Sequence, residues 1–388
     1  MLRRRALMGT VGACAALAAV LAATASPAAR VATADSPQSC SNPVQIGMLG
    51  PFTGPVASIG TDQLHWAQFF ANTWNKTHKI QITIVQGDTQ LDPAKASVVA
   101  QSMASNSSIV GIIGPAGSQE VTAVAPIFKK AGLAFVSGSA TNVGLTDGKL
   151  RGYFFRVVPN DGVQAPTAAA YMISKLGAKK GTTVMVVDDQ ESYSTGLADI
   201  VGNVLKKAGV TVDRESVSQK ATDFSSLVAK VGGSTKVVFL PFQVASQAQL
   251  FAQQLKSQGK SAIVFGSDGT FDSKKFNVSG NYVSFFAPDV TTIAKNKAIT
   301  AAYNKAFPGG TSPFGAPNYV AVQLYATAIT AACKDGKITR TELRQALAKV
   351  TIASTILGGP LKFTANGDVA GAKFVVFKIE DGKYKVVS

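Results

Sequence analysis

Three short segments carry the residue types that could hold a small polar ligand. They are Gly114-Pro115-Ala116-Gly117-Ser118, Ser137-Gly138-Ser139-Ala140-Thr141 and Gly266-Ser267-Asp268-Gly269. Each follows an apolar run, and the first two precede a helical pattern. The N–H groups at a helix start are unpaired and carry partial positive charge, so they attract a carboxylate. The hydroxyls of Ser118 and Thr141 would add two donors, and Asp268 supplies an acid in the same setting. A plainer use is local, with Ser118 and Thr141 capping their helices and Asp268 forming a turn before Gly269. Spacing alone leaves both uses open.

The sequence offers little with which to build a catalytic site. The two histidines, His65 and His78, are crowded near one helical segment, which makes a Ser-His-Asp triad hard to build. The sequence has no H-E-x-x-H, no cysteine pair at zinc spacing, no G-x-x-x-x-G-K-[ST] and no G-x-S-x-G, and no G-x-G-x-x-G follows a strand. The expectation is a protein that is not an enzyme and that uses neither metal nor cofactor.

The elements around these segments alternate. Apolar strands are expected over Val44–Phe52, Ile80–Val85, Ile109–Ile113 and Leu133–Val136, with helices over Leu64–Trp74, Ala94–Ala104 and Val121–Lys130. Apolar runs without alternation suit a parallel sheet buried on both faces. The pattern then restarts, with strands over Phe154–Val158, Thr183–Val187, Val210–Val212, Val237–Leu240 and Ile263–Phe265, and helices over Val163–Leu176, Gly196–Ala208, Phe224–Val231 and Ser246–Ser257. After the apolar run Tyr282–Phe286, further helices fit Ala294–Phe307, Tyr319–Ala332 and Thr341–Lys349, and the chain ends in a hairpin turning at Asp381-Gly382. The chain's 388 residues exceed what one core of ~250–300 residues supports, so two α/β lobes are expected.

The first 34 residues belong to another category. Arg3, Arg4 and Arg5 precede an uncharged Ala-rich stretch, and Ala23-Thr24-Ala25 and Ala32-Thr33-Ala34 both fit a cleavage site. This is the pattern of a secretory signal peptide over 1–34, with a membrane anchor as the alternative use of the apolar stretch. The whole chain has a formal net charge of +16, which raises the question of nucleic acid. Removal of 1–34 leaves 34 basic against 22 acidic side chains, scattered along an exported chain, so nucleic acid is not expected as a partner. Cys40 and Cys333 would then meet an oxidising compartment, where they are candidates for a disulfide; two free thiols are the other possibility.

At the ligand-type segments the sequence resembles the leucine/isoleucine/valine-binding type of periplasmic solute-binding protein, which serves ABC importers. The motifs are Ile46 to Pro55 followed by Gly60, Asp88 with Asp92-Pro93, Ile113 to Ser118, Ser139-Ala140-Thr141, Tyr193-Ser194-Thr195-Gly196, and Gly359-Pro360-Leu361 with Phe363 and Gly367-Asp368. The resemblance covers about residues 44–387. It implies a type I periplasmic binding protein fold, two doubly wound parallel-sheet lobes joined by three crossovers near Val158, Ala287 and Leu357. Lobe one would be 40–158 plus 288–357, and lobe two 159–287 plus 358–388.

The resemblance also implies roles. Ser118 and Thr141 would hold an α-carboxylate, and the Ser139 carbonyl with Thr141 would help hold an α-ammonium. Asp268 would pair with that ammonium, and Tyr193 would close over the ligand. Phe242 and Ile59 would contact the side chain, and Gly117 and Ala140 belong to the same binding loops. Some members have a disulfide where Leu91 and Gly117 stand, so that bridge is not expected. The implied function is an exported monomer, in the periplasm or at the outer face of the membrane, that delivers an aliphatic amino acid to an ABC permease. A sensor or receptor ectodomain of the same fold, binding an amide, urea or aromatic acid, is the alternative.

Overall fold

Two runs of apolar, β-branched sequence build two sheets with the same strand order. The computed structural model describes residues 35–388 except 287, 310, 311 and 372. The expected signal segment 1–34 and the expected crossover at Ala287 lie outside the described residues. The first sheet runs Ile82–Asp88, Val44–Gly50, Ile109–Ile113, Ala134–Ser137, Phe154–Arg156, all parallel. In chain order this is 2-1-3-4-5. The second sheet repeats it with Thr211–Ser216, Thr183–Asp188, Thr235–Leu240, Ile263–Gly266 and Tyr282–Phe285. The hairpin Val375–Glu380 and Lys383–Val386 adds two antiparallel strands beside Tyr282–Phe285.

The inner strands run buried, as in Ile109–Ile113, because helices cover both faces, and the edge strands Ile82–Asp88 and Thr211–Ser216 are partly exposed. On the first sheet, Ala57–Asn75 packs against Gly315–Ala332, with Trp66 stacked on Tyr303 at 3.9 Å between ring centroids. Gly315 permits this approach, since a Cβ there would collide with Trp66. The disulfide Cys40–Cys333 joins the chain before the first strand to the end of Gly315–Ala332, across 293 residues of sequence.

The chain passes between the sheets three times. It leaves the first sheet after Phe154–Arg156, and Ala165, Ala168 and Met172 of the next helix, Asp161–Lys175, bury in the second core. After Tyr282–Phe285 it returns, and Tyr303, Tyr325 and Leu343 join the first core. The last passage comes later than the expected Leu357. Leu361 and Phe363 still belong to the first core, with Phe363 on Phe155 at 4.8 Å, and Val375 is the first residue of the next strand paired with the second sheet. The motif around Gly367-Asp368 explains the delay, because Asp368 accepts a 2.6 Å hydrogen bond from the fully buried Arg156 guanidinium.

Candidate functional site

In a 2-1-3-4-5 sheet the chain reverses its winding between the first and third strands, and the loops there diverge to leave a crevice at the carboxyl ends. Both sheets present this crevice to one cavity, partly open to solvent. From the first sheet it is lined by Pro51, Val56 and Ile59 after the first strand, Leu91 after the second, Ala116 and Ser118 after the third, and Ser139 after the fourth. From the second sheet come Tyr193, Gln243, Asp268 and Gly269, each after a strand end, and Phe314 completes the wall.

Charged side chains hold the loops of the first sheet in place. Asp88 accepts from the Phe52 N–H at 2.8 Å and from the Thr53 hydroxyl at 2.5 Å, and Asp92 caps the helix Pro93–Ser105 through the Ala94 and Lys95 N–H groups. The Arg156 guanidinium donates to the carbonyls of Ala140 (3.0 Å) and Asn142 (2.9 Å) and to the Thr146 hydroxyl, fixing the loop after the fourth strand. Glu120 reaches back to accept from the Gly117 N–H at 2.8 Å. Burial pushes the Glu120 carboxyl up to about 7, against the hydrogen bonds it accepts. Gly114, at φ +90°, turns the third loop where a Cβ would strike the Leu49 carbonyl.

What remains for the cavity is polar at one end and apolar at the other. Ser118 starts the helix Ser118–Lys130, so unpaired first-turn N–H groups lie at that end. The Ser139 hydroxyl donates to the Ala116 carbonyl at 2.9 Å and accepts from Gln63 at 2.9 Å. Across the cavity the buried Asp268 accepts a 2.5 Å hydrogen bond from the Tyr193 hydroxyl. Burial raises the Asp268 carboxyl to about 6, and the Tyr193 bond offsets part of that rise. Val56 and Leu91 meet Val244, with Ile59 packed beside them, so the apolar end is shared by both sheets. Gln119 and Gln243 join the two walls directly, Nε2 to Oε1 at 2.7 Å.

The comparisons with known proteins agree with this architecture. The periplasmic binding protein family model matches residues 43–383. The chain belongs to the periplasmic binding protein family. It is 27% identical to an amino acid binding protein of Pseudomonas aeruginosa over 354 residues, covering 88% of this chain and 91% of that one. It is 27% identical to the leucine-specific-binding protein of Salmonella typhimurium over 362 residues, 90% and 94% of the two chains. Among solved structures, a branched-chain amino acid transporter substrate binding protein from Streptococcus pneumoniae, in complex with isoleucine, superposes with a TM-score of 0.76. It shares 26% identity over 89% of this chain and 99% of that one. A leucine binding protein from Thermotoga maritima gives a TM-score of 0.80 at 21% identity, covering 89% and 98%. The fold is therefore the type I periplasmic binding protein fold, and the protein is a binding protein, not an enzyme.

This periplasmic binding protein brings Ile59, Ser118, Ser139, Tyr193 and Asp268 to the cavity. It does not bring the other expected residues there. The Gly117 N–H is taken by Glu120. Ala140 is buried in the first-sheet core, its N–H bonded to the Ser137 hydroxyl at 3.0 Å and its carbonyl to Arg156. Thr141 is fully buried outside the lining, and its carbonyl accepts the Asp161 N–H at 2.8 Å. Phe242 turns into the second core, 5.8 Å from the Phe224 ring, and the next residue, Gln243, faces the cavity instead. At the end of an extended strand one residue of register reverses the face.

Sequence reasoning also missed Pro51, Val56, Leu91, Gln243 and Phe314 as lining residues, and it had Ala116 and Gly269 only as members of the ligand-type segments. Leu91 had a signal: a Cβ at Gly117 would lie 2.8 Å from its Cδ1, so Leu91 fills the space a side chain at 117 would need. His65 and His78 stack on Phe307 and Trp74, and neither lines the cavity. Among the described residues no group of His, Cys, Asp and Glu has a metal-holding arrangement, and no helix is long and apolar enough to cross a membrane.

Proposed function

We propose that the protein captures a small aliphatic amino acid between two lobes and delivers it to an ABC permease. The observation that carries this reading is the division of the cavity. A helix start and hydroxyls stand on one wall, a buried acid stands opposite, and aliphatic side chains from both walls fill the remainder. A zwitterion loses water from both charged ends on entering and binds well only where each end is matched. The α-carboxylate would sit at the start of Ser118–Lys130 with the Ser118 and Ser139 hydroxyls, and the α-ammonium at Asp268. The side chain would lie among Val56, Ile59, Leu91 and Phe314.

The lobes would be 40–158 with 288–369, and 159–287 with 375–388, closing over the ligand as a hinge. The relatives named for leucine and for branched-chain amino acids support this ligand class. The signal-like 1–34 supports export, and the protein would then work as a monomer at the outer face of the membrane. N-terminal sequencing of the secreted form should start near Asp35.

The test is titration calorimetry across alanine, valine, leucine and isoleucine. Leucine buries three more carbons than alanine, worth about 2 kcal/mol, so it should bind roughly thirtyfold more tightly. The tight binders should also raise the melting temperature. No binding by any member of the series would overturn the reading.

A further inference from the structure

Lysines that lie scattered in sequence are gathered by the fold at one edge of the second sheet, away from the cavity. At the amino ends of its strands the register sets Thr183 beside Thr211 and Thr235, and Val237 beside Ile263. The loops 177–183, 206–211, 230–236 and 256–262 meet there, and none contains an Asp or Glu. They bond to one another. The Thr211 N–H donates to the Thr182 carbonyl at 3.1 Å, the Thr183 N–H to the Ser234 carbonyl at 3.0 Å, and the Lys260 ammonium to the Val231 carbonyl at 2.7 Å. The same loops carry Lys179, Lys180, Lys206, Lys207, Lys236 and Lys256, all exposed. None of these six forms an ion pair among the described residues, whereas Lys230 is held by Glu215. The acids Asp188, Asp189, Glu191, Asp268 and Asp272 stand at or just after the carboxyl ends of the strands, on the cavity side.

A lysine in the last turn of a helix complements the helix dipole, which accounts for Lys206, Lys207 and Lys256 one by one. It does not account for Lys179, Lys180 and Lys236, which stand outside helices. The charge also extends in two directions. Neighbouring strands lie about 4.8 Å apart, so the four strand starts cover about 15 Å. Lys206 and Lys207 end a helix packed on one face of the sheet, and Lys256 ends a helix packed on the other. The half-buried Asp213 lies two residues into the edge strand. Further along the edge, the hairpin turn brings Asp381 and Glu380, the latter paired with Lys378 and Lys385. The exposed large apolar side chains, such as Val98 and Val143, lie elsewhere among the described residues. A broad array of free ammonium groups without an apolar wedge fits a broad array of anions, held by charge and not by insertion.

We propose that the lysine-bearing edge of the second sheet, formed by the loops 177–183, 206–211, 230–236 and 256–262, docks on the surface of an anionic lipid bilayer. The inference takes its setting, the outer face of the membrane, from the proposed function, and it adds a contact that does not involve the amino acid. A bilayer offers lipid phosphates over a plane, which matches charges spread over several loops and both faces of a sheet. A linear polyanion would be met better by a single row of lysines. Such binding is reversible and screened by salt, because the attraction acts across solvent within a Debye length. It would keep the protein near the membrane with the cavity at the opposite end of the lobe.

The experiment sediments the secreted form with vesicles of phosphatidylcholine, alone or with about one third phosphatidylglycerol. Each lysine near such a surface contributes about fivefold, so the anionic vesicles should bind at least about a hundredfold better at low salt. That excess should vanish at about 0.5 M salt. The variant Lys179→Gln, Lys180→Gln, Lys206→Gln, Lys207→Gln should lose at least about fiftyfold. A control, Lys130→Gln, Lys305→Gln, Lys334→Gln, Lys349→Gln, removes as much charge from exposed lysines outside this edge and should lose less than about fivefold. Equal losses in the two variants would reduce the effect to net charge and overturn the proposal, as would equal binding to both kinds of vesicle. Binding to soluble polyphosphate without binding to vesicles would also overturn it, in favour of a linear polyanion. If the first variant shows no melting transition, its two lysine pairs are changed separately, each with an expected loss of at least about tenfold, and no loss from either pair overturns the proposal. Leucine titration tests the amino-acid reading independently, so failure of the vesicle assay leaves that reading standing.

Discussion

The two walls of the cavity come from sheets of the same topology but treat their charges differently. On the first wall the charged groups are consumed by the protein. Arg156 holds two carbonyls and Asp368, Asp88 holds the Phe52–Thr53 turn, and Glu120 holds the Gly117 N–H. That wall shows the cavity only neutral groups such as Ala116, Ser118 and Ser139. On the second wall the buried Asp268 faces the cavity, held only by neutral side chains, the Tyr193 hydroxyl and Gln164. The proposed division is that ion-paired and capping charges shape loops, and Asp268 serves the ligand. The comparison makes a sharp demand: substitutions on the first wall should cost stability, and those on the second should cost affinity.

The largest expected effect is on the first wall. Arg156→Ala frees the carbonyls of Ala140 and Asn142 and leaves Asp368 without its partner, so unfolding free energy should fall by about 3–5 kcal/mol, read by denaturant titration. Loss of affinity with stability intact would break the comparison. Next is Asp268→Ala, which should weaken amino-acid binding by at least about a hundredfold, or about 2.7 kcal/mol, with the melting temperature of the empty protein held or raised. The wild type should show the same dependence through pH. Asp268 titrates at about 6, so affinity should be full above that value and fall as pH drops through it, because the protonated acid no longer attracts an ammonium. A flat affinity from pH 5 to 8 would remove Asp268 from the site.

Much of this division was legible in the sequence, because small and hydroxyl residues after unbroken apolar strands mark carboxyl-end loops. That rule found the segments around Ser118, Ser139 and Asp268, and the strand pattern placed both sheets. The expected residues that do not line the cavity share one cause. Thr141, Ala140 and Gly117 sit in the expected loops, but backbone groups of theirs are bonded to Asp161, Arg156 and Glu120, partners fixed only by tertiary packing. Phe242 lies outside the lining through register, since Gln243 takes the cavity-facing position one residue on. Arg156, deep in a strand, read as one scattered basic residue until Asp368 came to it from 212 residues away.

Glu120 tests the comparison from the other direction, because it is an acid on the wall assigned to structure. Its folded carboxyl lies at about 7, above the ordinary 4.5, so the folded state binds more protons than the unfolded state between those values. Wild-type stability should therefore fall as pH rises from about 4.5 through about 7 and level off above. Glu120→Gln removes that dependence while its amide oxygen can still accept the Gly117 N–H. The variant should gain on the order of 2 kcal/mol at pH 8 and little at pH 4.5, with leucine affinity unchanged. A large affinity loss would make Glu120 a ligand group after all.

The smallest effect separates two neighbours on the second wall. Phe242 packs among Phe224, Phe251 and Leu240 in the core, and Gln243 faces the cavity and bonds to Gln119 across it. Phe242→Leu keeps an apolar side chain but leaves the ring's place partly empty, so it should cost about 1 kcal/mol of stability and less than a twofold change in affinity. Gln243→Ala removes a bond between the walls that also involves Gln219, at 2.8 Å. On the proposed hinge closure it should cost about 1 kcal/mol, expressed as weaker ligand binding, because a link between the walls counts only in the closed form. If Phe242→Leu instead lowers affinity and Gln243→Ala lowers only stability, the register of the strand-end loop is reversed and the second wall must be redrawn with the aromatic ring in the cavity.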